Sequence, residues 1–347
     1  MISQKLIKNL SWEEKKALAN NSEYRELVQG LVSNDFSSRA KYFNAVAAQI
    51  NPVIRKGVMD GENGINYIFK ADPIPNGGQI EYPLHFLAPG TEKDYVAYTI
   101  ARTGSLPSKK VEGNRIFGNT FWVGHSLEVD LSYVRDAGWS VLPDIAETLA
   151  NGLIKKNNDD GWHTILGAGL DRGILVTDSD AAAGQFSRKL ISYLSLAMKR
   201  NGGGNVGSLN RAKLTDLFLS HEALEDIRVW GTTDGGSQTT DRFVVNPQGT
   251  VESIYSIKLH PMDELGVAQE YQDYWTNTLG GTMGASDQEI VIGLDLSRAN
   301  SFVMPVRQEV SIYEDPTAFM QNMMRWGARG EHGFMCTDSR SVIVGSF

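Results

Sequence analysis

"SVLPDIAETLANGLIKKNNDDGWHTILGAGLDRGIL", residues 140–175, carries the apolar period of one long helix. Leu142, Ile145, Leu149, Leu153, Trp162, Ile165 and Leu166 recur close to a helical period, and Pro143 stands near the first turn, where a missing amide costs little. The spacing predicts one helix from Leu142 to Leu166, about 36 Å long at 1.5 Å per residue. Gly152 inside it costs about 1 kcal/mol relative to alanine, and Gly161 weakens it again, giving two points at which it can bend. Gly167, Gly169 and Gly173 then form the expected terminating turn, since glycine is the usual residue where a chain turns left-handed after a helix.

The same residues invite chemical readings, and each fails on a particular position. A dinucleotide fingerprint needs G-x-G-x-x-G between a strand and a helix, but Arg172 stands where the third glycine should be, and the run follows a helix. "NGGGN" at residues 201–205 is also post-helical and has no lysine placed as in a P-loop. Asp159 and His163, four apart, could share a metal, yet a closed site needs further ligands and the other histidines are dispersed. "GHSLE" around Ser126 has Glu128 in place of the closing glycine of a nucleophile elbow, and "HEALE" has Glu225 where a zincin needs its second histidine. The expectation is therefore no enzyme, no cofactor and no metal site.

The chain has 347 residues, enough for two domains or one elaborate one, with a formal net charge of -8. That charge argues against an extended phosphate-tracking surface while leaving room for scattered DNA contacts. Cys336 is the one cysteine, so no intramolecular disulfide or cysteine-based zinc cluster can form. No uncharged apolar run approaches bilayer length, and the first residues lack a signal-peptide core, so a soluble globular protein with no membrane association is expected.

Around the long helix the chain changes character several times. Residues 1–50 are polar and helical: Ser11 and Glu14 have capping-box spacing, and Phe43, Val46, Ala47 and Ile50 share one helical face up to Pro52. From Asp60 to Gly118, turn chemistry at short intervals separates brief alternating runs such as Ile80, Tyr82, Leu84 and Phe86, which predicts a long β-excursion. At its "SLPSKKVEGN" turn, Lys109, Lys110 and Glu112 are candidate contacts with a neighbouring subunit, set against the plainer role of a solubilising loop tip. "NTFWVGHSLEVDLSYV" returns to strand, with Trp122, Leu127, Val129 and Leu131 as its expected buried set. Beyond Gly173 the pattern is mixed α/β: an amphipathic helix within 185–205, a strand and helix within 213–227, a polar glycine-rich cap within 263–287 and two strand-rich closing pieces.

This order of elements resembles tailed-phage major capsid proteins, whose α+β architecture is the Hong Kong 97-like fold. The nearest local likeness is the run "FWVGHSLEVD…LANGLIKKNNDDGWHTILGAGLDRGIL", which looks like that family's path from strand into spine helix, while "IGLDLSRANSFVMPVRQEVSIYEDP" and "GFMCTDSRSVIVGSF" are similar to its returning strands. The resemblance implies an N-terminal arm and its approach to the core at 1–59 and an extended loop at 60–118. It implies a peripheral domain at 119–184 and 306–347 carrying a spine helix at 143–167, and an axial domain at 185–305. The chain departs from the pattern in lacking a long removable N-terminal segment, so its N-terminus is expected to be retained.

The implied function is a non-enzymatic shell protein that assembles with itself into pentamers and hexamers of an icosahedral head around double-stranded DNA held by non-specific contact. Scaffold and portal proteins, and a decoration protein, are the implied partners. Assembly in the host cytoplasm and residence in the virion are the implied locations. An encapsulin-like nanocompartment shell with protein cargo is the alternative, and a hydrolase built on Ser126 is a more distant one.

Overall fold

The structure, a computed structural model, describes residues 11–32, 35, 37, 39–47, 65–75, 77–83, 115–136, 142–200, 212–233, 243–245, 251–285, 287–298, 300–315 and 323–347. The chain packs as two compact units. The first comprises Met1–Ile80, Gly118–Gly161 and Met304–Phe334, and the second Glu81–Phe117, Trp162–Val303 and Met335–Phe347.

In the first unit, α1 (Trp12–Ala19), α2 (Ser22–Leu31) and α3 (39–47) precede α4 (Ile65–Ile68) and β1 (Lys70–Pro73). Ser11 caps α1 as its spacing predicts: its amide donates to the Glu14 carboxylate at 2.9 Å, and its hydroxyl oxygen accepts the Glu14 amide at 3.4 Å. Lys15 of α1 pairs with Asp144 at 2.7 Å, tying α1 to the start of the long helix.

The sheet of this unit combines β1 with β4 (Phe121–Asp130), β11 (Phe302–Asp315) and β12 (Met323–His332) in the order β1-β11-β12-β4. β12 and β4 pair antiparallel in ten consecutive register positions, from Met323↔Asp130 to His332↔Phe121. One face buries Val123, Met324, Trp326, Ala328 and Ile312 against Tyr24, Leu31, Phe43, Val46, Ala47, Ile145, Leu149 and Leu153. Leu127 and Val129 pack against this core as expected, but Trp122 does not. Side chains alternate along a strand, so Trp122 cannot share a face with 127 and 129, and it points outward. Leu131 and Ile50, also expected to be buried, have side chains outside the described set.

Within residues 65–69, part of the segment expected as the excursion, Tyr67 is exposed and three side chains are buried. Ile65, Ile68 and Phe69 are buried, and Phe69 meets Phe334 edge-to-face at 5.0 Å. Further along, β2 (Glu81–Pro83) pairs with β3 (Arg115–Phe117) as an antiparallel ribbon, closed by the Arg115–Glu81 ion pair at 2.7 Å. Residues 84–114, which the ribbon joins, lie outside the described set, and with them Lys109, Lys110 and Glu112.

After the short helix α5 (Leu131–Asp136), the long helix α6 runs from Leu142 to Arg172, 31 residues without interruption, with Asp144 in its first turn and Arg172 in its last, both matching the helix dipole. Its end corrects the sequence expectation. Gly167 and Gly169 lie inside the helix, and the left-handed residue is Gly173, at φ 66°, whose amide donates to Leu170 at 2.9 Å. Gly169 is required by packing instead: a Cβ there would stand 2.7 Å from a Val344 methyl. Gly167 faces open space. Gly167→Ala is therefore expected to stabilise the chain by about 0.5–1 kcal/mol, while Gly169→Ala should destabilise it. Urea midpoints of the two variants check this; a loss of stability in Gly167→Ala would restore the turn at 167.

The second unit is built on a seven-stranded sheet of β5 (Leu175–Thr177), β6 (Asp216–Leu219), β7 (Phe243–Val245), β8 (Val251–Ile254), β9 (Ile257–Pro261), β10 (Ile290–Leu294) and β14 (Val342–Ser346), ordered β5-β14-β10-β6-β9-β8-β7. Every residue of β6, β10 and β14 is buried, as strands covered on both faces must be. On one face, α7 (Arg188–Arg200) and α8 (His221–Thr233) pack Leu190, Leu194, Ala223 and Ile227 against Leu217, Val291 and Ile343. On the other, Trp162 meets Phe218 edge-to-face at 4.8 Å, and Gly169 meets Val344. Because β14 pairs with β10 and β5, and β13 (Met335–Cys336) with Phe302 and Val303 of β11, residues 335–347 join this unit, as do 162–184.

Candidate functional site

Among the described residues, the side chains of the constellations considered in the sequence make other contacts, and "NGGGN" at 201–205 lies outside that set. His125 and Ser126 are neighbours on β4 and so face opposite sides of the sheet. His125 lies against Gly152, where a Cβ would be 2.8 Å from its ring, and Ser126 pairs across with Gly327. His163 stacks on Tyr274, with ring centroids 3.6 Å apart. His221 bonds Asp263 at 2.7 Å. Among the described residues no group of three or more His, Cys, Asp or Glu could hold a metal ion, and no helix is long and apolar enough to cross a membrane. Burial pushes the Cys336 thiol up to about 12, so at neutral pH it is protonated and a poor nucleophile.

What the chain builds instead is a long helix anchored by close packing and buried polar bonds. In unit 1, Gly152 admits His125, and Gly161 admits Ile65, to whose Cδ1 a Cβ would approach within 2.6 Å. These two glycines are nine residues apart, about 180° around the helix axis, so α6 is gripped on opposite sides. Asn157 adds a polar anchor: its side-chain oxygen accepts from His332 Nε2 at 2.7 Å, and both residues are buried. Pro143, the expected helix start, is the second residue of α6.

His332 is 3% exposed, and burial lowers its pKa from 6.5, with Asp160 opposing. The neutral ring then donates its Nε2 proton to Asn157. Since the folded state binds the proton less readily than the unfolded chain, this contribution to stability is complete above about pH 6.5 and declines as pH falls below it toward the lowered value. Urea midpoints between pH 7 and pH 5 should fall less steeply in His332→Gln than in the parent; equal slopes would remove His332 as the source.

A second buried network lies in unit 2. Asp338 accepts from Arg340 Nε at 2.8 Å and Nη2 at 2.9 Å, and also pairs with Arg298. Burial alone would raise the Asp338 carboxyl, but the Arg340 hydrogen bond and the charges of Arg340 and Arg298 hold it below the usual value. Asp295, fully buried, accepts the Lys213 amide at 2.7 Å and the Ser297 hydroxyl at 2.6 Å. Sequence reading singled out none of these residues. The partners of His332 and Arg298 are 175 and 40 residues distant, and no local pattern marks them.

Comparison with known proteins gives the class of this architecture. Neither a protein-family model nor a curated protein sequence matches the chain. Solved structures do. A chain of Mycobacterium phage Bobi matches with a TM-score of 0.53 and 14% identity over 82% of this chain and 89% of its own. One of Microbacterium phage Oxtober96 matches at 0.52 and 11%, over 82% and 90%. The capsid of an empty GTA particle matches at 0.50 and 13%, over 82% and 90%. The chain has the α+β fold of these phage and capsid chains, the Hong Kong 97-like capsid fold.

Proposed function

We propose that this chain is the major capsid protein of a tailed phage, assembling with itself into pentamers and hexamers of an icosahedral shell around double-stranded DNA. The observation that carries the reading is the likeness of fold, over four-fifths of the chain, to phage and GTA capsid chains. A shell protein needs complementary patches that close into rings, together with arms and loops that cross between subunits. In this reading residues 1–59 are the N-terminal arm, 60–118 the loop over a neighbour, 185–305 the axial domain, and the remainder the peripheral domain. Lys109, Lys110 and Glu112 are its inter-subunit contacts. The role is structural, without catalysis. Scaffold, portal and decoration proteins are the further partners, DNA is held without sequence preference, and assembly takes place in the host cytoplasm before the protein resides in the virion.

Electron microscopy of the expressed chain, alone and with its scaffold, tests this. Shells or capsomers are expected; small soluble species under every condition would overturn it. Nuclease-protected DNA inside particles from infected cells is the second expected result. Particles holding protein cargo and no DNA would instead select an encapsulin-like shell.

A further inference from the structure

The outward face of the first unit's sheet carries an arginine held between two rings. Arg329 on β12 lies opposite Gly124 on β4 and Ser311 on β11. Its guanidinium sits 5.2 Å from the Trp122 ring and 5.3 Å from the Tyr313 ring. Trp122 is 59% exposed and Tyr313 41%, so both rings present large apolar area to solvent. Glycines shape the shelf: Tyr313 lies over Gly327, and a Cβ at Gly124 would crowd Arg329 Cβ at 3.3 Å.

The charges around Arg329 are already matched. Arg325 pairs with Glu128, and Arg307 with Glu331 at 3.6 Å. Arg329 has no carboxylate at ion-pair distance among the described residues, and it is exposed beside the two rings. A planar fork with unmet donors fits a carboxylate in bidentate fashion. Exposed Trp, Tyr and Arg together form the composition that concentrates binding energy at protein–protein interfaces.

We propose that the Trp122–Arg329–Tyr313 shelf is an interface that receives a carboxylate-bearing segment of a second copy of this chain. The occupant follows from charge: with 41 Asp and Glu against 33 Lys and Arg, a second copy carries an excess of carboxylates to meet this cation. The inference rests on the shell reading above, which requires such faces to meet, and it names the patch where they do.

The test follows self-association by sedimentation velocity and shells by electron microscopy in the full chain, Arg329→Glu, Arg329→Lys and Trp122→Ala. Circular dichroism melts of dissociated subunits accompany each. Arg329→Glu should raise the concentration needed for association at least tenfold with an unchanged melt. Trp122→Ala should weaken association similarly in direction, and Arg329→Lys should fall between, because an ammonium keeps the charge but loses the fork. Association of Arg329→Glu at the parent concentration would overturn the proposal. A parent chain that forms oligomers but never shells would overturn the shell reading alone, since the association constants still decide the shelf. A strictly monomeric parent would overturn both.

Discussion

Asp338→Ala should lower the unfolding free energy by about 3–5 kcal/mol, because removing one partner of a buried ion pair strands the other. The carboxylate is the shared acceptor of two guanidiniums. Arg340, 3% exposed, spends two of its nitrogens on it and has a third, Nη1, with no hydrogen-bond partner among the described residues. Arg298 also approaches Asp295, 3.8 Å from Nε to Oδ2. Chemical unfolding of Asp338→Ala and Asp338→Asn would measure the loss, and a cost under about 1 kcal/mol would show that water or a shift of Arg298 replaces the carboxylate. The pH dependence has a definite sign: the folded carboxyl is held below 3.8, so its contribution is complete above that value and disappears as pH falls through the lower folded one. Asp338→Asn should lack this acid limb.

Trp162→Ala is the other large expected effect, about 3–5 kcal/mol from lost transfer energy and an unfilled cavity. The indole is 1% exposed on α6, edge-on to Phe218 at 4.8 Å and tilted to Tyr271 at 6.0 Å. Phe218 in turn stacks on His260 at 4.6 Å, so the cavity would open beside a strand buried on both faces. Trp162→Phe should recover most of the loss by keeping an aromatic edge in place. A thermal melt of Trp162→Ala within a few degrees of the parent would mean that Tyr271 collapses into the gap.

Local signals carried well from sequence to structure where the cause is local. The Ser11–Glu14 box and the apolar period of α6 each depend on residues a few positions apart, and both form as their spacing predicts. The end of α6 misled because glycine has two uses. Gly169 serves a close approach by Val344, a residue 175 positions away, and sequence spacing cannot separate that role from a left-handed turn. Trp122 differs for another reason: its large apolar side chain suggests burial, but its parity along β4 is opposite to that of Leu127 and Val129, and the alternation prevails. The buried pairs His332–Asn157 and Asp338–Arg340 look like ordinary surface polar residues in sequence, because burial is a property of the finished packing.

The pairing of β4 with β12 also governs when this protein can fold. Thr120 and Glu331 are 211 residues apart, and Glu128 and Arg325 197 apart, yet each pair meets across or beside that ladder. A ribosome adding roughly 5–20 residues per second needs about 10–40 s to make the chain between them. Throughout that interval the inward face of β4 has no sheet partner, and Val123, Leu127 and Val129 remain available to other nascent chains. The unit's folding rate is therefore set by a long-range closure late in translation, which makes this one segment the place where chaperone binding during synthesis would matter most.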